Sequence, residues 1–282
     1  MSGHTSYRQR HTMAPGVVAS ATAYASAGQE RGWHRGLPSP WLTFIVSIDG
    51  PVRVSGTVAD HASFEETAAD AFDVIVAGLH PVAAVVEQPE RQAGVQLAVH
   101  PLAASAVLGC RAADLLSAGD HGDAVLGRAA SELRDRVAAR QSDEQRLDVV
   151  QSWVRERVRS SRPRVVRPEV VRAWEVILGS GGRARISEVA RDVALSPRQL
   201  RTLVERELGI TPKQLARAVR FDAAVAALTS GGAVADVAAR TGYADQAHLA
   251  REFNQMAGCA PTVWLAEECR NIQDGGHRNR PE

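Results

Sequence analysis

Residues 186–264 contain the same pattern twice. The first copy runs Glu188-Val189-Ala190, then Ala194-Leu195, Leu200, Val204 and Gly209-Ile210-Thr211-Pro212. The second runs Asp236-Val237-Ala238, then Gly242-Tyr243, Leu249, Phe253 and Gly258-Cys259-Ala260-Pro261. The offset is 48 residues before the turn and 49 after it, so one extra residue sits in the second turn. Agreement across acidic, small, apolar, Gly and Pro positions specifies one backbone path, used twice. Ala190 and Ala238 are small where two helices cross closely. Four residues on comes a turn, where Gly242 takes positive φ without strain. Ala194 stands there in the first copy, at a cost of about 1 kcal/mol if its φ is positive. Leu200, Val204, Leu249 and Phe253 bury a second helix against the first. Gly209 and Gly258 sit where a helix stops, and Thr211-Pro212 starts the next one. Each copy therefore reads helix, short turn, helix, the unit that lays its second helix in the major groove of DNA. The segment Pro212 to Leu228, with Leu215, Val219, Ala223 and Ala226 on one face, predicts a helix holding the two units apart.

The rest of the chain has a different period. Residues 1–20 are polar and predict no ordered structure. Trp41–Ile48 is β-branched and aromatic, Asp49-Gly50-Pro51 follows as a turn, and Val52–Gly56 alternates, so a hairpin is expected. Phe72–Leu79, Val82–Val86 and Gly94–His100 are further strand candidates. After Pro101 the spacing turns helical: Leu126, Ala130, Leu133 and Val137 share one face, and Leu147, Val150, Val154 and Val158 another, with Asp143 as a candidate cap. This helical pair has two readings, a cover packed on the β region or a surface that pairs with a second subunit. Ser160–Arg164 reads as a linker. The expected fold class is α+β: a strand-rich N-terminal domain with a helical appendage, then an all-α C-terminal domain. The boundaries are 21–160 for the first (strand-rich to about 110), 161–266 for the second, and 267–282 for a polar tail.

Composition narrows the classes. The chain is 45% hydrophobic, 23% charged and has a net charge of +1. No run approaches the roughly 20 apolar residues of a membrane span, and the N-terminus lacks the apolar core of a secretory signal. Cys110, Cys259 and Cys269 are too few for a disulfide framework or a four-Cys zinc site. These features point to a cytoplasmic protein. Lys213 is the only lysine; the Ala, Arg and Gly bias fits a GC-rich coding genome. Charge is −2 over residues 1–162, +4 over 163–265 and −1 over 266–282. A charge of +4 suits a phosphate partner, but is too small for a protein that packages DNA by backbone charge alone.

The second copy, Gly242-Tyr-Ala-Asp-Gln-Ala-His-Leu-Ala-Arg-Glu-Phe253, together with Arg220-Phe221-Asp-Ala-Ala224 and the closing Gly258-Cys-Ala-Pro261, resembles the AraC/XylS family of bacterial transcription regulators. The resemblance covers residues 165–266. It implies a transcription regulator that reads two adjacent major-groove segments. The N-terminal part of such proteins often dimerises or senses small molecules. The partners this implies are double-stranded DNA, a small-molecule effector, RNA polymerase and a second copy of the chain, with no membrane. It implies no catalytic residues and no cofactor. No cupin-type Pro-Gly-x-x-His signature is present.

The candidate DNA-binding residues are Arg198, Gln199, Arg201 and Thr202 on the first recognition helix, and Gln246, His248 and Arg251 on the second. By the family pattern Arg198, Arg201 and Thr202 face the bases. Arginine can grip guanine O6 and N7 with two hydrogen bonds. The plainer alternative is a solvated arginine in an arginine-rich chain. His248 points sideways, where a phosphate contact is as reasonable as a base contact. Asp245 reads as a helix cap, and Phe221, Phe253 and Trp264 as core. The competing class is a metal- or ligand-handling β-domain enzyme fused to a DNA-binding module. His34, His61, His80 and His100 are its only pointer, and they are not at ligand spacing, so no metal is expected. Trp33, Trp41 and Tyr24 suit core packing better than a ligand pocket.

Overall fold

The computed structural model describes residues 4–59, 69–116, 119–162 and 164–272. His61 lies outside the described residues. The N-terminal half is two facing antiparallel sheets. The first has six strands in the order β1 (His4–Ala14), β2 (Val18–Ala27), β9 (Arg91–Val99), β4 (Leu42–Ser47), β7 (Val74–Ala77) and β10 (Asp120–His121). The second has four, in the order β3 (Gly32–Gly36), β8 (Ala84–Gln88), β5 (Val52–Thr57) and β6 (Asp70–Phe72).

The expectations for the first residues and for the hairpin need correction. Residues 4–14 are ordered as β1, because they pair antiparallel with β2 along the strand and Arg10 ties it to α4. Arg10 Nη1 donates to Asp148 at 2.9 Å and to the Gln151 side chain at 2.7 Å, and Arg10 also pairs with Glu144. Nor do β4 and β5 form a hairpin. β4 pairs with β7 and β9, and β5 pairs with β6 and β8. The Asp49-Gly50-Pro51 turn carries the chain from one sheet to the other. Pro51 has no N–H to donate to a hairpin ladder.

The alternation of β4 explains the layering. Leu42, Phe44 and Val46 are fully buried, with Val95, Leu97 and Val99 of β9 beside them. That face is covered by α3 (Arg128–Ala138) and α4 (Asp143–Ser160), through Ala130, Leu133, Val137, Leu147, Val150 and Val154. The apolar face of the helical pair thus packs on the chain's own sheet. Ser142 rather than Asp143 is the N-cap of α4; its hydroxyl accepts from the Gln145 N–H at 3.3 Å. The opposite face of the large sheet meets the small sheet through Ile45, Ile75, Val54, Phe72 and Val86. The short helices α1 (Ala104–Val107) and α2 (Gly122–Leu126) complete this half.

The C-terminal half is helical throughout: α5 (Pro168–Gly179), α6 (Ile186–Asp192), α7 (Pro197–Leu208), α8 (Pro212–Thr229), α9 (Val234–Thr241), α10 (Gln246–Ala257) and α11 (Pro261–Ile272). α11 runs into the segment expected as a polar tail. The buried apolar residues divide unevenly. One cluster joins the N-terminal half to α5, α6, α7 and α8 as far as Val219. A second, separate cluster begins at Phe221 and holds Leu228, Val237, Leu249, Phe253 and Trp264.

The two halves touch at several points. Trp174 of α5 meets His100 and Trp41, with ring centroids 4.9 and 5.9 Å away. Arg164 donates to Glu207 of α7 through both terminal nitrogens. Arg35 of β3 is buried; its Nε donates to the Ala257 carbonyl at 2.9 Å, and it pairs with Glu267. The Ala83 N–H donates to the Met256 carbonyl at 2.6 Å.

Candidate nucleic-acid interface

The interface is built from two helices of identical length and matching caps. α7 starts at Ser196, whose hydroxyl accepts from the Gln199 N–H at 3.2 Å, while Gln199 Oε1 accepts from the Ser196 N–H at 3.0 Å. α10 starts at Asp245, whose carboxylate accepts from the His248 N–H at 2.6 Å. Each ends at a left-handed glycine, Gly209 at φ 77° and Gly258 at φ 76°. The preceding turns also close alike. The Leu195 N–H donates to the Ala190 carbonyl at 2.9 Å, and the Tyr243 N–H to the Ala238 carbonyl at 3.0 Å. Ala194 is held at φ 54°, the one non-glycine residue with positive φ among those described, opposite Gly242 at φ 85° in the second copy.

Packing settles which face of each helix is free. On α7, Leu200, Leu203, Val204, Glu207 and Leu208 are buried; on α10, Leu249, Glu252, Phe253, Met256 and Ala257 are. Arg198, Arg201 and Thr202 share the exposed face of α7 with Glu205. Arg201 Nε donates to Glu205 Oε1 at 3.1 Å, and the Arg201 side chain stays 65% exposed. The Thr202 hydroxyl donates back to the Arg198 carbonyl at 3.1 Å. Gln199 is exposed, but its carboxamide oxygen is engaged in the cap. On α10, Gln246 and Arg251 are exposed. His248 is half-buried: its ring sits 5.3 Å from Tyr243, edge to face, and Nδ1 accepts from the Ala244 N–H at 3.3 Å.

The offset of 49 brings out one surface residue that composition does not flag. Asn254 is exposed at the α10 position equivalent to Glu205. The same offset exposes an asymmetry underneath. Glu252 is buried where the first copy has Leu203, and Glu207 is buried where the second has Met256. Glu207 is held below the usual carboxylate range, chiefly by its hydrogen bond from Arg164.

Among the described residues no three His, Cys, Asp or Glu side chains gather at a common point. His80 Nδ1 donates to the Val82 carbonyl, 2.8 Å away, and His100 lies between two indoles. Burial pushes the Cys110 thiol up to about 11. Among the described residues no helix is long and apolar enough to cross a membrane.

Residues 189–267 match the family described as a helix-turn-helix domain. This segment is an AraC-type helix-turn-helix domain. A domain of this kind makes the chain a DNA-binding transcription regulator. Solved structures are similar at low identity. The C-terminal domain of AraT, a response regulator from Geobacillus stearothermophilus, is 23% identical with a TM-score of 0.35, covering 42% of this chain and 95% of that one. ToxT from Vibrio cholerae is 11% identical with a TM-score of 0.48, covering 94% of this chain and 97% of that one. ToxT with a bound unsaturated fatty acid is 10% identical with a TM-score of 0.48, covering 94% and 96%. No curated protein matches the chain in sequence.

Proposed function

We propose that α7 and α10 read two successive major-groove segments on one face of a duplex. The observation that carries this reading is the matched pair of free helix faces, each with an arginine opposite a buried apolar pair. On α7 the readers are Arg201 and Arg198, with Thr202 beside them. On α10 the reader is Arg251, flanked by Asn254 and by Ala247 and Ala250, whose methyls suit thymine C5-methyl groups. Asn254 suits an adenine edge. Gln246 and His248 lie at the start of α10, where backbone phosphates pass. Gln199 serves the α7 cap and adds at most a phosphate contact. Residues 161–266 form the reading half. Residues 21–160 sense a small-molecule effector, pair with a second copy, or do both. The chain acts by occupying DNA and engaging RNA polymerase, with no catalytic step of its own.

Site selection from random DNA, followed by gel-shift titration of Arg201→Ala and Arg251→Ala, tests this. A two-pronged arginine–guanine contact carries roughly 1–3 kcal/mol of discrimination, so each variant is expected to weaken the selected site about 5- to 150-fold. Each should relax preference in one segment only, the two segments lying about 10 base pairs apart. Unchanged affinity and preference in both variants would refute the assignment.

A further inference from the structure

The two reading units do not share an apolar core. The cluster of the first unit stops at Val219 and that of the second starts at Phe221. Both ends of α8 are joined through glycine: Gly209 precedes it, and Gly231 at φ 83° follows it. Apolar packing therefore seats each unit on its own half of α8, and among the described residues no apolar cluster bridges from one unit directly to the other. The residue between the clusters is Arg220, and its guanidinium touches three separate pieces. Nη1 donates to the Gly182 carbonyl at 2.9 Å, in the loop between α5 and α6 of the first unit. Nη2 lies 3.4 and 3.5 Å from the two carboxylate oxygens of Glu252 on α10. The guanidinium carbon stands 5.7 Å over the ring of Tyr243, in the turn of the second unit. Arg217, one turn earlier on α8, donates its Nε to Glu252 at 3.0 Å and a terminal nitrogen to Gln255 at 2.9 Å.

Glu252 is 7% exposed, and the first copy shows that leucine can occupy the equivalent position. A buried carboxylate in place of leucine is a weak source of stability, because desolvation offsets its attraction. It does fix geometry, since a carboxylate between two arginines accepts only a narrow range of helix positions.

We propose that Arg220 and Glu252 form a charged strut that sets the distance and angle between α7 and α10. They are thereby positioning residues for the spacing of the two DNA segments. The inference rests on the two-segment reading above. One base pair moves the second segment about 3.4 Å along the duplex and, at 10–10.5 base pairs per turn, about 35° around it. A rigid pair of readers cannot follow that displacement; a loosened pair can.

The test uses the full chain and its selected operator, with the interval between segments set at −1, 0 and +1 base pair. The wild type is expected to lose about tenfold or more at either altered interval. Glu252→Gln keeps the shape and removes the charge. It should bind the natural interval within about fivefold of wild type, and the altered intervals within about threefold of its own best. Base substitutions inside each segment should carry their wild-type penalties, which a general loosening of the fold would not preserve. Arg220→Lys keeps the charge but loses the planar fork, and should relax spacing in the same way. It decides the matter by the same criteria if Glu252→Gln fails to fold. A folded variant with the wild-type spacing penalty, or with equal loss at every interval, would overturn the strut. A wild type that selects no site at all would instead overturn the two-segment reading beneath it.

Discussion

Replacing Ala194 by glycine should stabilise the protein, and the reciprocal change at Gly242 should destabilise it by more. Both residues occupy the same step of a turn closed by the same backbone hydrogen bond, at φ 54° and 85°. An L-residue in this region costs about 1–2 kcal/mol, which glycine avoids. Glycine gives back about 0.4–1 kcal/mol through the freedom it adds to the unfolded chain. Ala194 is exposed, so its methyl contributes little burial. The balance for Ala194→Gly is a gain of about 0.5–1 kcal/mol. For Gly242→Ala the same terms reverse, and the new methyl would lie 2.6 Å from Arg183 Cγ and 2.8 Å from Cδ. Arg183 must then swing aside, and the loss becomes about 1–2 kcal/mol. Urea unfolding followed by circular dichroism at matched slopes reads both changes. Operator affinity should stay within about twofold for Ala194→Gly. A destabilised Ala194→Gly, or a neutral Gly242→Ala, would show that the turn is not governed by left-handed strain.

Two further outcomes follow from buried groups. Burial lowers His100 to about 4 from its usual 6.5, and His80 moves in the same direction. Each binds its proton less readily when folded, so the unfolded chain takes up more protons. Stability is then complete above about pH 6.5 and falls toward pH 4, by on the order of 2 kcal/mol for the partly buried His100. His100→Asn, which keeps an acceptor for the Leu102 N–H, should flatten that slope in urea titrations at stepped pH; an unchanged slope would remove His100 as its source. At the other buried acid, Glu207→Met copies the residue of the second repeat and leaves the half-exposed Arg164 to water. Its melting curve should show a change within about 1 kcal/mol, and a loss beyond twice that would mean the ion pair anchors the linker.

The DNA-binding half was legible because its constraints are local. Turns, caps and crossing alanines lie within a few residues of one another, and the second copy repeats them. Asp245 declares itself as a cap by position alone, and Leu249 and Phe253 as core. The N-terminal half was legible only as strands. The partners of β5 are β6 and β8, up to about thirty residues downstream, and nothing in Val52–Thr57 names them. β1 was hidden for a related reason. Its tie to α4 runs from Arg10 to Asp148, 138 positions apart, and polar residues held by distant charges read as solvated ones. Gln199 looked like a free surface glutamine because capping leaves it exposed. Glu252 was visible in principle, as the acidic residue facing Leu203 across the repeat. Its meaning came only with Arg217 and Arg220 beside it.

The break in the core between Val219 and Phe221 determines how the molecule comes apart. The first helix-turn-helix unit shares its interior with the sheets, so its opening is expected to be coupled to theirs. The second has its own interior and is held to the rest by α8, Arg35, Arg220 and a few backbone contacts. Its amides can therefore exchange with solvent through a smaller, cheaper fluctuation than those of α7. Under the proposed two-segment reading, the same division is expected to make the second contact shorter-lived than the first on the duplex.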